Sequence, residues 1–210
     1  MDWIRENKIM QAWLVLTIAL FFGAMLAGVQ IKLGPTIEKN RRNETLEKVP
    51  ALVLGKEGAD KMAAENRPPL ITPSTITVDK IGRKVYYNVY AVRDKGELKG
   101  YGIKTNGQGY ADRIELLFGL NPTLDKITGL FILEQKETPG LGNKIVTDEW
   151  RSQFVDIPSF PALKVIKGKA STSGEIEAIT GATISSRAVT DIINSAVSDL
   201  HQPLMNAKDN

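Results

Sequence analysis

Cysteine is absent from the 210 residues. That removes disulfides, cysteine-ligated iron–sulfur clusters and thiol catalysis together, and leaves the redox compartment open. Histidine occurs once, at His201. With one imidazole and no thiol, a zinc site lacks its usual ligand set, and a Ser–His triad would have to use that single residue. Metal ligation is therefore not expected. Difficult chemistry in such a chain belongs to a bound cofactor. Excess charge of one sign is small as well: the formal net charge is +3, and no basic block interleaved with aromatics appears, so nucleic acid is not an expected partner. No G-x-G-x-x-G and no Walker lysine is present.

One long stretch has no charge at all. Ile9 to Ile31, IMQAWLVLTIALFFGAMLAGVQI, is about 23 residues, roughly 34 Å as a helix and enough to cross a bilayer core. A cleaved signal peptide and a buried soluble helix are the alternatives. The run is long for the first, with no small-x-small cleavage site after it. It is long for the second to be without a charge. A retained single-span anchor is the expectation, in contact with membrane lipid. Arg5 and Lys8 precede it, whereas Lys32, Lys39, Arg41, Arg42 and Lys48 follow it. Counted literally, those charges put the main domain in the cytoplasm. The rule is weakest for large translocated domains, so charge alone leaves the orientation open.

The chain divides on pattern into a tail (1–8), a transmembrane helix (9–32), a stalk with an irregular lead-in (33–74), a folded domain (75–202) and a C-terminal tail (203–210). Pro68, Pro69 and Pro73 mark the lead-in. From Thr75 the pattern becomes strands: KVYYNVYAV, LKGYGIKT, DRIELLFGL and ITGLFILEQ, separated by turn signals at Asp94-Lys95-Gly96, Asn106-Gly107 and Asn121-Pro122. Short turns between consecutive strands predict an antiparallel meander. VTDEWRSQF predicts a short helix capped by Thr147 or Asp148, and LKVIKGK and EIEAIT two more strands. Val189, Ile192, Ile193, Ala196, Val197 and Leu200 form one apolar helical stripe that should pack on the sheet. The fold class is α+β: a single N-terminal transmembrane helix, then a domain with a mainly antiparallel sheet and packed helices.

Two clusters carry candidate chemistry. In EIEAITGATISSRAVTDII, Thr180, Thr183, Ser185 and Ser186 crowd around Gly181 and Ala182 at the expected start of the last helix. First-turn amides there have no intrahelical partner and the helix dipole favours an anion, while the small residues allow close approach. A plain N-cap, worth ~1 kcal/mol, explains the same residues. The second cluster is EQKETPGLGNKI. Thr138-Pro139-Gly140 reads as an ordinary turn, but a turn does not call for Glu137, Leu141 and Lys144. Gly140 and Gly142 would let a planar ligand lie against the backbone, with Leu141 as an apolar floor.

Together the two clusters resemble the FMN-binding domain of membrane redox pumps, whose members include the G subunit of the Rnf complex and the C subunit of the sodium-pumping NADH:quinone reductase. That family carries a D-x-x-[ST]-G-A-[ST] motif with FMN on its last hydroxyl residue. Here it is Glu177-Ala178-Ile179-Thr180-Gly181-Ala182-Thr183, with Glu in place of the usual Asp. The E-T-P-G-L-G segment is present unchanged as Glu137 to Gly142. A Gly-rich G-x-G-Y-G-G turn common in the family reads Gly107-Gln108-Gly109-Tyr110-Ala111-Asp112. The resemblance runs from about residue 80 to 200.

The resemblance implies that residues 75–202 form an FMN-binding domain with covalent FMN, joined by a phosphoester to Thr183. Thr180, Gly181, Ala182, Ser185, Ser186, Glu137, Thr138, Gly140, Leu141, Gly142 and Lys144 would surround it. It further implies an electron-transfer subunit of an ion-translocating ferredoxin:NAD oxidoreductase of the Rnf type, whose shorter G subunits this chain is nearer in length. Its partners would be the other membrane and peripheral subunits, and a flavin transferase for maturation. The location would be the bacterial cytoplasmic (inner) membrane, with a cytoplasmic tail and the FMN domain outside. A C-type subunit of the quinone reductase, a membrane-anchored module binding phosphate or flavin noncovalently, and a structural assembly subunit are the competing readings.

Overall fold

A computed structural model describes residues 7–80 and 82–208. Arg5 and most of the expected 1–8 tail lie outside the described residues. The chain divides into two compact units, Met1–Glu44 and Thr45–Asn210.

The first unit is helical. Helix α1 (Lys8–Ala64) begins there, capped by Asn7, whose Oδ1 accepts from the backbone N–H of Ile9 (3.1 Å) and Met10 (3.4 Å). Trp13, Leu20, Phe21 and Leu26 are exposed, and none of its apolar window is covered by protein. Among the described residues, this is the one helix long and apolar enough to cross a membrane.

In the second unit α1 continues where a stalk and irregular lead-in were expected. It runs through Pro50, which removes one helical donor. Packing compensates: Val49, Leu52 and Val53 are buried against Tyr90, Val92 and Leu117. At Gly55 the backbone leaves helical geometry (φ 75°, ψ 161°). The Leu52 carbonyl instead accepts the Thr128 hydroxyl at 2.6 Å. A Cβ at Gly119 would fall 2.9 Å from that carbonyl oxygen, so this strand residue has to be glycine for the helix to come so close.

Six strands follow as β1 (Leu70–Lys80), β2 (Arg83–Asp94), β3 (Glu97–Gln108), β4 (Arg113–Leu120), β5 (Lys126–Glu134) and β6 (Ile157–Pro158), all antiparallel and in sequence order. This is the expected meander, with one strand more at its front. β1 starts before Thr75 and includes Pro73, which an edge strand tolerates. Lys95 and Gly96 take positive φ, as a tight hairpin turn requires. Asn106-Gly107 is not a turn: both lie inside β3, paired with Glu115 and Ile114. The turn comes later, where Gly109 N–H bonds Asp112 O at 2.9 Å.

The opposite face of the sheet carries the larger core. Alternate residues Ile114, Leu116, Phe118 and Leu120 of β4 meet α3 (Thr183–Lys208), where Val189, Ile192, Ile193, Ala196, Val197 and Leu200 are all buried as the stripe requires. α3 continues through Pro203 to Lys208, so most of the expected C-terminal tail is helix, secured by buried Leu204. Between β5 and β6 lie a 3-10 turn (Gly142–Val146), the short α2 (Asp148–Arg151) and a second 3-10 turn (Ser152–Phe154). Thr147 occupies the N-cap of α2 without capping it; its hydroxyl donates to Lys144 O at 2.8 Å.

β7 (Lys164–Ile166) and β8 (Glu175–Glu177) form a separate two-stranded parallel sheet. Asn194 of α3 grips the chain just before it, accepting from Leu163 N–H and donating to Leu163 O, both at 2.9 Å.

Candidate functional site

The head of α3 is set by a tight turn. Gly181 has φ 80°, a conformation that L-residues rarely adopt. Ala182 N–H bonds Ile179 O at 2.9 Å, and Ser186 N–H bonds Ala182 O at 3.1 Å, which is the first helical hydrogen bond. The amides of Thr183, Ile184 and Ser185 therefore have no intrahelical acceptor.

The four hydroxyls divide cleanly. Ser186 is fully buried; its Oγ accepts from Ile179 N–H (3.0 Å) and donates to Ala182 O (3.1 Å), closing the turn. Ser185 is also buried and donates to Glu137 Oε2 at 2.5 Å. Thr183 is half-buried and Thr180 exposed; among the described residues neither hydroxyl has a hydrogen-bond partner. Both line a cavity of about 790 Å³, within the usual size of small-ligand sites.

The second cluster forms the facing wall. Glu137 is buried; its Oε1 accepts from Ala111 N–H (3.1 Å), Oε2 from Ser185, and its own N–H bonds Gln135 Oε1 (2.6 Å). One carboxylate thus ties the β3–β4 turn to the head of α3. Gly142 packs behind it, since a Cβ there would fall 2.6 Å from Ser185 Oγ and 2.8 Å from Glu137 Oε2. Thr138 and Leu141 line the cavity, with Leu141 Cδ2 3.0 Å from where a Gly181 Cβ would be. The two clusters, some forty residues apart in sequence, are therefore in direct contact.

Not every candidate faces the cavity. Gly142 lines it, but the atoms a Cβ there would meet are those of the Ser185–Glu137 pair. Gly140 (φ 76°) has open space around it and serves the turn. Lys144 lines a neighbouring cavity of about 550 Å³ together with Trp150, Glu175 and Glu177. The two cavities share Ala178, Ile179 and Thr180. Glu177 turns outward; its Oε1 accepts from Ala170 N–H at 2.9 Å, and its backbone carbonyl accepts from Trp150 Nε1 at 2.9 Å.

Sequence reasoning did not single out Tyr110, Lys167 or Ile184 as lining residues. Tyr110 belongs to the Gly107–Asp112 stretch, whose glycines were the available signal. Gly109 is held close to Glu137, where a Cβ would collide with Oε1. Lys167 is followed by Gly168 at φ 100°, a turn mark that carried no chemistry by itself.

The cavity suits FMN. Its walls are mainly apolar (Leu141, Ile179, Ala182, Ile184) with one aromatic ring at Tyr110, while amides at a helix head and one lysine on the lining are groups that suit an anion. Residues 109–198 match the family described as FMN-binding domain. The chain is 39% identical over 120 residues to the G subunit of an ion-translocating oxidoreductase complex of Methanosarcina acetivorans, covering 57% of this chain and 61% of the relative. It is 40% identical over 111 residues to the G subunit of the Na(+)-translocating ferredoxin:NAD(+) oxidoreductase complex of Acetobacterium woodii, covering 52% and 53%. The match thus spans about half to three-fifths of these relatives' length. The crystal structure of Shewanella oneidensis NqrC aligns with a TM-score of 0.56 at 25% identity, over 66% of this chain and 70% of that one. The crystal structure of the C subunit of the Na(+)-translocating NADH-quinone reductase from Parabacteroides distasonis aligns at 0.58 and 19% identity, over 81% and 96%, and shares the fold. With both motifs meeting at one cavity, residues 109–198 of this chain are similar to the FMN-binding domain family.

Proposed function

We propose that this chain is the membrane-anchored, FMN-carrying relay subunit of an ion-translocating ferredoxin:NAD oxidoreductase complex of the Rnf type. The observation that carries the reading is Thr183. Its hydroxyl has no partner among the described residues, on a cavity wall where its neighbours Ser185 and Ser186 are fully engaged. Thr183 Oγ1 bonds the flavin-side phosphorus of a flavin dinucleotide as the P–O bond of its pyrophosphate breaks and a nucleoside monophosphate leaves with the electron pair. The hydroxyl proton goes to solvent, and a flavin transferase supplies the nucleotide.

Bound FMN supplies one- and two-electron redox chemistry. The chain's own contribution is attachment and orientation. Thr183 tethers, first-turn amides of α3 hold the phosphate, and Leu141, Ile179 and Tyr110 offer apolar surface to a ring. A tether prevents loss of the cofactor between encounters with donor and acceptor. The other subunits of the complex are the partners. The folded domain lies outside the cytoplasm, with residues 9–31 spanning the inner membrane; family likeness motivates this side, and the apolar length supports a span.

Flavin fluorescence in a denaturing gel tests attachment: fluorescence remaining with the unfolded band supports the ester. Flavin present on the folded chain but lost from the band favours a noncovalent module, and flavin absent from both favours an assembly role. Mass spectrometry of the peptide containing Thr183 locates the bond. Protease added to cells with only the outer barrier opened tests the side. Cutting beyond residue 50 that requires inner-membrane lysis would put the domain in the cytoplasm.

A further inference from the structure

Lys167 is the sole charged side chain among the described residues that line the larger cavity, and among them it has no ion-pair partner. It sits on the loop between β7 and β8. Gly168 beside it has φ 100° and also lines the cavity.

That loop is pinned from β8. Glu175 Oε2 accepts from Ser171 N–H (2.9 Å), Ser171 Oγ (3.1 Å) and Thr172 N–H (3.2 Å). Glu177 Oε1 accepts from Ala170 N–H. Backbone bonds close both ends: Lys164 N–H to Gly174 O at 2.9 Å and Ala178 N–H to Ile166 O at 2.9 Å. The hydrogen bonds to Glu175, first that from Ser171 N–H, hold its carboxyl below the ordinary glutamate range, so the carboxylate form is the one the loop selects. Two acidic side chains therefore fix a short loop whose lysine reaches the cavity.

The geometry points to Lys167 as the electrostatic partner of the flavin phosphate at the head of α3, with Glu175 and Glu177 as positioning residues that hold its loop. This rests on the flavin reading above. A helix head offers partial positive charge, whereas a phosphodiester carries a full negative one. A lysine lining the same partly protein-walled cavity as Thr183 and Ile184 supplies the balance. An ammonium group is a point charge on a flexible stem, suited to an exposed anion rather than to a fixed bidentate contact. The pinned loop limits where that stem starts. The usual Asp at position 177 has one methylene fewer, and the Glu here reaches Ala170 N–H with the longer arm.

The test is phosphorus NMR on the full flavin-loaded chain in detergent micelles. The wild-type chain is expected to show one flavin phosphodiester resonance. Lys167→Met should displace it or lower flavin occupancy, and Lys167→Arg should restore either. Glu175→Ala should displace the resonance in the same direction by less, and add nothing in the Lys167→Met background. No flavin phosphorus on the wild-type chain overturns the underlying flavin reading. A resonance at the same position with full occupancy in Lys167→Met, or a change that Lys167→Arg fails to reverse, overturns Lys167 alone. Additive shifts from Glu175→Ala and Lys167→Met overturn the positioning role.

Discussion

Two regions that meet at the head of α3 use the same chemistry to opposite ends. Behind the cavity, the buried side chains of Ser185, Ser186 and Glu137 form a closed set of hydrogen bonds with one another and with the backbone of Ile179, Ala182 and Ala111. In front of it, Thr180 and Thr183 present hydroxyls to open space. The frame holds the turn; the wall offers groups to a ligand. A hydroxyl-rich motif is thus not one site but a site and its scaffold, and residue type does not tell them apart.

Breaking the wall without the frame should give the largest effect on flavin and the smallest on folding. Thr183→Val, nearly isosteric, is expected to remove all covalent flavin from the denatured band while leaving the melting temperature within a few degrees; Thr183→Ser should retain some. Covalent flavin persisting in the valine variant would place the tether elsewhere. Breaking the frame should reverse the pattern. Glu137→Ala strands the buried Ser185 hydroxyl and removes the acceptor of the exposed Ala111 N–H, and is expected to cost about 1–3 kcal/mol in denaturant unfolding. Flavin content then falls only as the folded fraction falls.

Two glycines sharpen the contrast. Gly142→Val should destabilise by about 1–3 kcal/mol through overpacking on Ser185 and Glu137. Gly140→Val has open space and only its positive φ to contend with, a cost of about 1–2 kcal/mol. If the ring rests near this loop, Gly140→Val also shifts the flavin absorbance; an unchanged spectrum moves the ring away from it.

The smallest effect is in pH. Hydrogen bonds from Ser171 and Thr172 hold the Glu175 carboxyl low in the folded chain. A depressed folded pKa stabilises above the unfolded value, and that stability is lost as pH falls through the folded one. The 170–175 loop should therefore loosen in acid before the sheet does, visible as faster amide exchange at Ser171 and Thr172. Glu175→Gln should flatten that dependence.

The meander and the last helix were legible because their signals are local: strand runs closed by turns, and one apolar stripe at a 3.6-residue period. The continuation of α1 was not. Residues 33–74 read as a polar stalk and an irregular lead-in marked by Pro68, Pro69 and Pro73, and what makes a helix of the chain up to Ala64 is the burial of Val49, Leu52 and Val53 on a sheet that follows later in the chain. Asn106-Gly107 misled for a similar reason. That glycine makes room for Ile192, whose Cγ1 would lie 2.5 Å from a Cβ at position 107, and the pairing of distant residues leaves no local mark. At the site, the hydroxyl cluster and the Glu137–Gly142 segment were both visible. Which hydroxyls face inward depends on Glu137, forty-eight positions from Ser185. Lys167 was invisible because its place depends on two carboxylates that come after it.

Asn194 has a further consequence. Its side chain holds both backbone groups of Leu163, and Ser186 holds Ile179 N–H. The stretch between those two points, with β7, the Lys167 loop and β8, is therefore hung from α3 at both ends, although Trp150 and Gln153 also touch it. Such a segment opens as one cooperative unit, at a free energy below that of global unfolding. In hydrogen-exchange terms, residues 163–179 are expected to exchange as one block, held by two side chains of α3 at its ends and by Trp150 and Gln153 at Glu177. Asn194→Asp, which keeps the acceptor and loses the donor, would release one of these holds and raise exchange across the whole block while the meander stays protected.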